Sequence, residues 1–250
     1  MEFIAMKAPA LRSILLISLS ALSAFHTTLS CAADAPIIGL VVWVTGTMKA
    51  AAPNAAPRTL ARRSPIYETD TITTDKGGSG EIVFKDNSIV SVRNETTLEI
   101  AKFRYAKGAP AGTNSEALNL IKGGFRTITG AITKENPQAY KANTPVATIG
   151  VAGTVYSAYF DRVANDLFTK LDRGIVYVSN SAGKITLNKS TPAQNSKCPR
   201  DVYSKVSASS SPVVVCDQPD IFLSDPPLIP VGFPSSSGGG SVGSFCVTKN

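Results

Sequence analysis

Apolar residues in this chain recur mostly at every second position, in short runs broken by glycine, asparagine and aspartate. Between residues 79 and 105, Ile82 and Phe84 alternate with polar neighbours. Asp86-Asn87-Ser88 marks a turn, and Val90 and Val92 resume the alternation. Asn94-Glu95 turns the chain again before Leu98, Ile100, Phe103 and Tyr105. A period of two describes strands with one face in a core. The run IIGLVVWVTGT at 37–47 predicts an opening strand, residues 50–57 with their two prolines a loop, and DTITT at 70–74 a short strand.

The same punctuation continues. Leu118, Leu120 and Ile121 precede Lys122-Gly123-Gly124, and Phe125, Thr127 and Ile128 follow it, which reads as a turn between two short strands. Residues 144–160, TPVATIGVAGTVYSAYF, read as two strand segments separated by a kink at Gly150 and Gly153, with Pro145 at the start of the first. A glycine kink carries a strand round a structural corner, which outweighs a ligand-binding loop as the reading of these glycines. Further strands are expected at 167–171, 175–178 and 184–187, with Asp172-Arg173-Gly174 as a turn. Turn signals about every 8–12 residues predict an all-β protein, a single β-sandwich or β-roll.

Composition divides the chain into three parts. Lys7 and Arg12, the apolar run SILLISLSALSAF and the small residues Ser30-Cys31-Ala32 form a secretory leader over residues 1–32, cleaved after Ala32, with Met6 as an alternative start. Its apolar core is shorter than the roughly 20 residues a membrane helix needs, so the processed chain is not expected to be an integral membrane protein. The compartment is then periplasmic or extracellular; lipidation at Cys31 is the lesser alternative, because Thr28 stands where an aliphatic residue is wanted. The β domain spans 37–192. Beyond it, serine, proline and glycine dominate and predict a loop-rich, partly disordered tail over 193–250.

Charge and chemistry narrow the function. The net charge of +7, +6 once Glu2, Lys7 and Arg12 leave, is spread along the chain without a block of like charges, so nucleic acid is not an expected partner. The one histidine, His26, lies in the leader, which removes Ser-His-Asp triads and histidine-ligated zinc from the mature chain. No cofactor or metal is expected. Gly77-Gly78-Ser79-Gly80 feeds a strand and not a helix, so it reads as a turn and not a phosphate cradle. Paired carboxylates remain available for a hydrolase, but Asp70, Asp75, Glu81, Asp86, Glu95, Glu99, Asp161, Asp166 and Asp172 fall mostly at turns or on polar strand faces.

Of the cysteines left after cleavage, Cys198 and Cys216 form the simplest disulfide, although three pairings are open; the odd thiol, Cys246, would be available to a second chain. Tyr156 and Tyr159 are candidates for an exposed aromatic binding surface. Alternation puts Tyr156 with Phe160 on one face and Tyr159 on the other, with core packing the simpler reading.

Thr144, Pro145, Gly150, Gly153 and Thr154, in the pattern TP-x-A-x-I-G-V-x-GT followed by an aromatic, resemble the signature of the FecR domain, a periplasmic β module of transmembrane regulators and of stand-alone secreted proteins. The Asp-Asn-Ser hairpin at 86–88 and the leucine-then-glycine step at 118–124 are similar to the family's, and the resemblance spans about residues 37–192. Relatives usually carry arginine where this chain has Ala152. The FecR regulators place a cytoplasmic segment and a membrane helix before this module, and neither is read here. The resemblance therefore implies a non-catalytic sensor, adaptor or scaffold whose partner is another envelope protein, with a cell-wall glycan as the alternative.

Overall fold

The computed structural model describes residues 35–110, 112–188 and 202–222. Its first half runs β1 (Ile37–Thr45), β2 (Met48–Ala51), β3 (Arg58–Thr59), β4 (Pro65–Tyr67), β5 (Thr71–Thr74), β6 (Ser79–Phe84), β7 (Ile89–Val92), β8 (Thr97–Arg104) and β9 (Ser115–Ile128). A five-residue helix, α1 (Ala131–Glu135), and a 3-10 turn (Pro137–Ala139) follow. The second half is β10 (Tyr140–Asn143), β11 (Thr148–Asp161), β12 (Asp166–Asn180), β13 (Gly183–Asn188), β14 (Val202–Ser207) and β15 (Val213–Val215). The all-β class holds. These strands join into one hydrogen-bonded sheet that branches, ordered β15-β14-β12-β11-β10-β9-β7-β6-β1-β4, with β8, β5, β2 and β3 leading off β9 and β13 off β12.

β9 is the branch point. Its first half pairs with β8 and, in parallel, with β10. Its second half pairs with β7 and β11. Residues 118–128 were expected as two strands about a turn, and the structure corrects this. Gly123, at φ +77°, absorbs the irregularity as a bend within one strand. A Cβ at this position would overlap Thr96, whose hydroxyl accepts from Gly124 N–H at 2.9 Å and donates to the Gly124 carbonyl at 3.1 Å.

The same correction applies twice more. β11 is one 14-residue strand and β12 one 15-residue strand. The register of β11 against β12 slips between Ala152 and Val155, where Gly153 (φ +57°) and Gly174 (φ +89°) face one another. An extra residue in a strand reverses which face the following side chains take. Accordingly Ile149 and Val151 are buried before the slip, and Tyr156, Ala158 and Phe160 after it; on β12 the buried set changes from Leu167, Thr169 and Leu171 to Val176 and Val178. Glycine with a left-handed φ serves a bulge as readily as a turn, so an apolar-glycine-apolar sequence fits both.

The core is continuous. Phe84 stacks on Phe103 at 5.1 Å, and Phe125 and Tyr140 meet Tyr156 edge-on at 5.8 and 6.4 Å. Each such side chain, removed from water, contributes roughly 1.5–3 kcal/mol. Asn87 takes the left-handed turn position (φ 63°) of the β6–β7 hairpin, and Asp86 accepts from the Ser88 backbone N–H and hydroxyl at 2.9 and 2.6 Å. Beyond residue 192, β14 pairs with β12, β15 pairs with β14, and Phe222 is buried. Ser204 and Val206 turn inward beside Thr169 and Leu167, and Tyr203 is buried on the opposite face under Phe222; with only one apolar residue inward among serines, the strand is hidden from a compositional reading.

Candidate functional site

The TP-x-A motif builds a turn, not the first residues of a strand. Thr144 Oγ1 donates to the Ala147 carbonyl at 2.9 Å and accepts from Ala147 N–H at 3.1 Å, which closes the link between β10 and β11 with Pro145 exposed at its tip. Gly153 and Thr154 form the corner of β11. Thr154 Oγ1 donates to the Ile175 carbonyl at 2.7 Å and accepts from Ala152 N–H at 3.1 Å, and Thr129 Oγ1 accepts from Thr154 N–H at 2.9 Å. Thr154 thus ties β11 to β12 and to the end of β9 at one point. Ala152 is half-buried beside this corner.

Gly150 has a different role. It lies opposite Tyr177 on β12, its φ is not left-handed, and a Cβ there would meet only the Tyr177 side chain, at 3.8 Å. The space left by its missing side chain belongs to a cleft of about 310 Å³ lined by Gln138, Tyr140, Lys141, Thr148, Tyr177, Ser179 and Lys184, among others. Register explains the assembly. Thr148, Ser179 and Lys184 sit side by side on β11, β12 and β13, and Gly150, Tyr177 and Thr186 form the next row on the same face. The Lys184 ammonium stands 4.8 Å from the centre of the Tyr177 ring. No aspartate or glutamate lines the cleft. Tyr177 and Lys184 escaped the sequence reading because they were read only as members of neighbouring strands; the outward parity of Tyr177 between Val176 and Val178 was the available signal.

The tyrosine pair singled out from the sequence separates. Tyr156 is fully buried, with its hydroxyl 2.5 Å from that of Tyr140, so it is not an exposed aromatic. Burial raises the pKa of both phenols. Tyr159 faces outward and is half-buried, the first of a row that crosses the sheet through Phe168 and Lys205 to Val213. The Arg93 guanidinium lies 6.0 Å from the Tyr159 ring centre, and Lys205 lies 5.6 Å from that of Phe168. Residues 220–222 cross this face: Arg93 donates to the Ile221 carbonyl, and Phe222 stacks on Tyr203 at 6.0 Å. β15 pairs only with β14 among the described residues, and its Val213 and Val214 are 51% and 45% exposed.

Most of the acids considered for hydrolysis have structural partners. Asp70 accepts both Arg58 terminal nitrogens at 2.8 and 2.5 Å, and Ser91 donates to Glu81 at 2.7 Å. Asn119 donates to Glu99, Asp161 caps the turn at Val163, Lys205 pairs with Asp166 at 2.9 Å and Arg126 with Asp172 at 2.7 Å. Hydrogen bonds from Ser207 and Lys205 outweigh burial and hold Asp166 below its ordinary value. The exception is Glu116, not singled out from the sequence. It is buried, neither carboxyl oxygen has a hydrogen-bond partner, and burial, with Asp86 nearby, raises its pKa well above the usual carboxylate range.

Of the cysteines, only Cys216 lies among the described residues, and it is disulfide-bonded. The expected pairing with Cys198, the odd Cys246, Cys31 and the leader with its cleavage site at Ala32 lie outside the described residues. Among the described residues no helix is long and apolar enough to cross a membrane, and no group of three acidic, cysteine or histidine side chains is placed to hold a metal.

Residues 70–177, from the start of β5 into β12, match the family model described as FecR protein. No curated protein matches the chain. Two crystal structures of a protein from Parabacteroides distasonis ATCC 8503, provisionally described as an anti-sigma factor, are similar to it at 10% identity, with TM-scores of 0.44 and 0.43. The similarity covers 59% of this chain and 59% of each of those chains, so the chain spans less than two thirds of their length.

Proposed function

We propose that this chain, which carries a FecR-family segment at residues 70–177, is a non-catalytic protein-interaction module of the cell envelope, serving as a sensor, adaptor or scaffold. The leader read at residues 1–32 delivers it to the periplasm or the exterior, and a disulfide between Cys198 and Cys216 secures the segment that carries β14 and β15. The partner is an extended segment of another envelope protein that adds as a strand along β15.

The exposure of Val213 and Val214 on a strand paired only on its β14 side among the described residues carries this reading. An edge strand offers unpaired backbone groups to a second chain, and natural edges that avoid such pairing are short or carry lysine, proline or a bulge. β15 is short but has valine at all three positions. Added main-chain hydrogen bonds give affinity, while the exposed valines select apolar side chains at alternate positions of the partner.

The test is site-directed photocrosslinking in cells with the full chain. A crosslinker at position 215, the last residue of β15, is expected to yield one dominant protein adduct, whereas one at Thr186, on β13, is not. Val213→Lys with Val214→Lys should abolish the adduct without changing the melting temperature, since both side chains are exposed. An adduct that survives the double lysine variant would rule out strand addition at β15.

A further inference from the structure

The geometry points to the cleft over Tyr177 as a binding site for an acidic sugar, a pyranose ring that carries a carboxylate. This does not rest on the protein-partner reading, because the cleft is built by the 3-10 turn and β10 to β13 and includes no residue of β15.

Charge comes first. Lys141 and Lys184 are the ionisable lining residues besides the two tyrosines, both lysines are exposed, and no carboxylate of the protein neutralises them within the cleft. An anion is the complementary ligand, and flexible ammonium groups receive it as point charges and not as a planar fork. Size comes next. About 310 Å³ is at the lower end of ligand pockets, enough for one or two sugar rings and too little for a folded partner.

The remaining lining is what a polyhydroxylated ring requires. Gln138 and the neighbouring Thr148 and Ser179 offer polar groups, and the Thr148 hydroxyl already donates to Asn143 at 3.1 Å, which leaves its oxygen to accept from a sugar hydroxyl. Tyr177 supplies an apolar plate with a polar tip. Its face is covered by Lys184 at 4.8 Å. A carboxylate entering the cleft draws that ammonium off the ring and leaves the face to the C–H groups of the sugar.

Gly150 makes the room. An outward-facing strand position ordinarily carries a side chain, and here nothing in the backbone requires glycine: its φ is not left-handed and a Cβ would make only ordinary contacts with Tyr177. The missing side chain is therefore explained by the space it leaves. This gives a variant that closes the site without straining the fold.

The experiment is calorimetric titration of the full chain with digalacturonic acid, with the neutral disaccharide galactobiose and the dipeptide Glu-Glu in parallel. Digalacturonic acid is expected to bind saturably and at least about tenfold more tightly than either comparison ligand. Lys184→Glu and Gly150→Leu should each weaken it about tenfold or more, with melting temperatures close to the parent. Lys184, being exposed, keeps the test open if Gly150→Leu does not fold. No saturable binding up to roughly 10 mM, or binding unaffected by Lys184→Glu, overturns the inference. Equal or tighter binding of Glu-Glu overturns the sugar assignment and gives the cleft to acidic peptide.

Discussion

Gly174 is packed against Gly153 so closely that a Cβ on it would overlap the Gly153 carbonyl and come within 2.9 Å of the Thr154 Cα, whereas a Cβ on Gly153 would meet no atom within 4 Å. Two glycines at one bulge are thus required for different reasons. Gly153 supplies a left-handed φ, and Gly174 supplies both that and a close approach of backbones.

Gly174→Ala is expected to destabilise the protein by roughly 2–4 kcal/mol, since strain and overlap add. Gly153→Ala should cost only about 1–2 kcal/mol, the left-handed term alone. Urea denaturation of the two variants checks the ranking; equal losses would mean that the bulge relaxes around a side chain at 174.

Thr154 holds the same corner through its hydroxyl. Thr154→Val keeps the shape and leaves the Ile175 carbonyl and the Ala152 N–H without their partner, at a cost of about 1–3 kcal/mol. Thr154→Ser keeps the hydroxyl and should retain most of the stability. Thermal melts of the pair separate the hydrogen bonds from the packing of the methyl group.

Glu116 makes stability fall as pH rises. Its carboxyl, among Asp86, Tyr140 and Tyr156, keeps its proton in the folded state well above the usual carboxylate range. The unfolded chain releases that proton above about pH 4.3, so within the window between the two values each pH unit costs up to about 1.4 kcal/mol. Asp166 has the opposite sign: its lowered value contributes stability that is present above the ordinary aspartate pKa and lost as pH falls through the lowered one. Melting temperatures measured from about pH 5 to pH 8 should decline in the parent and flatten in Glu116→Gln. An unchanged slope would show that Glu116 does not titrate differently in the two states.

Phe222 seals the aromatic face. Phe222→Ala removes its stack on Tyr203 and loosens residues 220–222 over Arg93 and Tyr159. Hydrogen exchange should speed up first in β14 and β15, with the amides of β9 little changed, since the loss is local to one edge of the sheet.

The strands themselves were legible from the period-two pattern, and Asn87 was legible as a left-handed turn residue. The joins between strands were less so. Lys122-Gly123-Gly124 and Asp172-Arg173-Gly174 carry turn chemistry, but their flanking segments pair on into neighbouring strands, and that long-range pairing converts the expected turns into bulges. The kink was read at Gly150 and Gly153, and only Gly153 lies at the irregularity. Gly150 was not recognisable as the floor of a cleft, because the residue that gives it meaning, Tyr177, faces it only through the β11–β12 register. Glu116 looks like any polar residue of an alternating strand, and it lies between Phe103 on β8 and Tyr140 on β10, a placement that only the long-range pairing shows.

β9 also sets the order in which the chain can complete itself during synthesis. Its second half offers an edge that stays vacant until β11, ending at Asp161, has been made. At about 5–20 residues per second the nascent protein exposes a ready template for foreign strands for several seconds. The ribosome-bound chain is therefore most exposed to mispairing when it stops between residues 128 and 148, so a pause there would be the costliest place to stall.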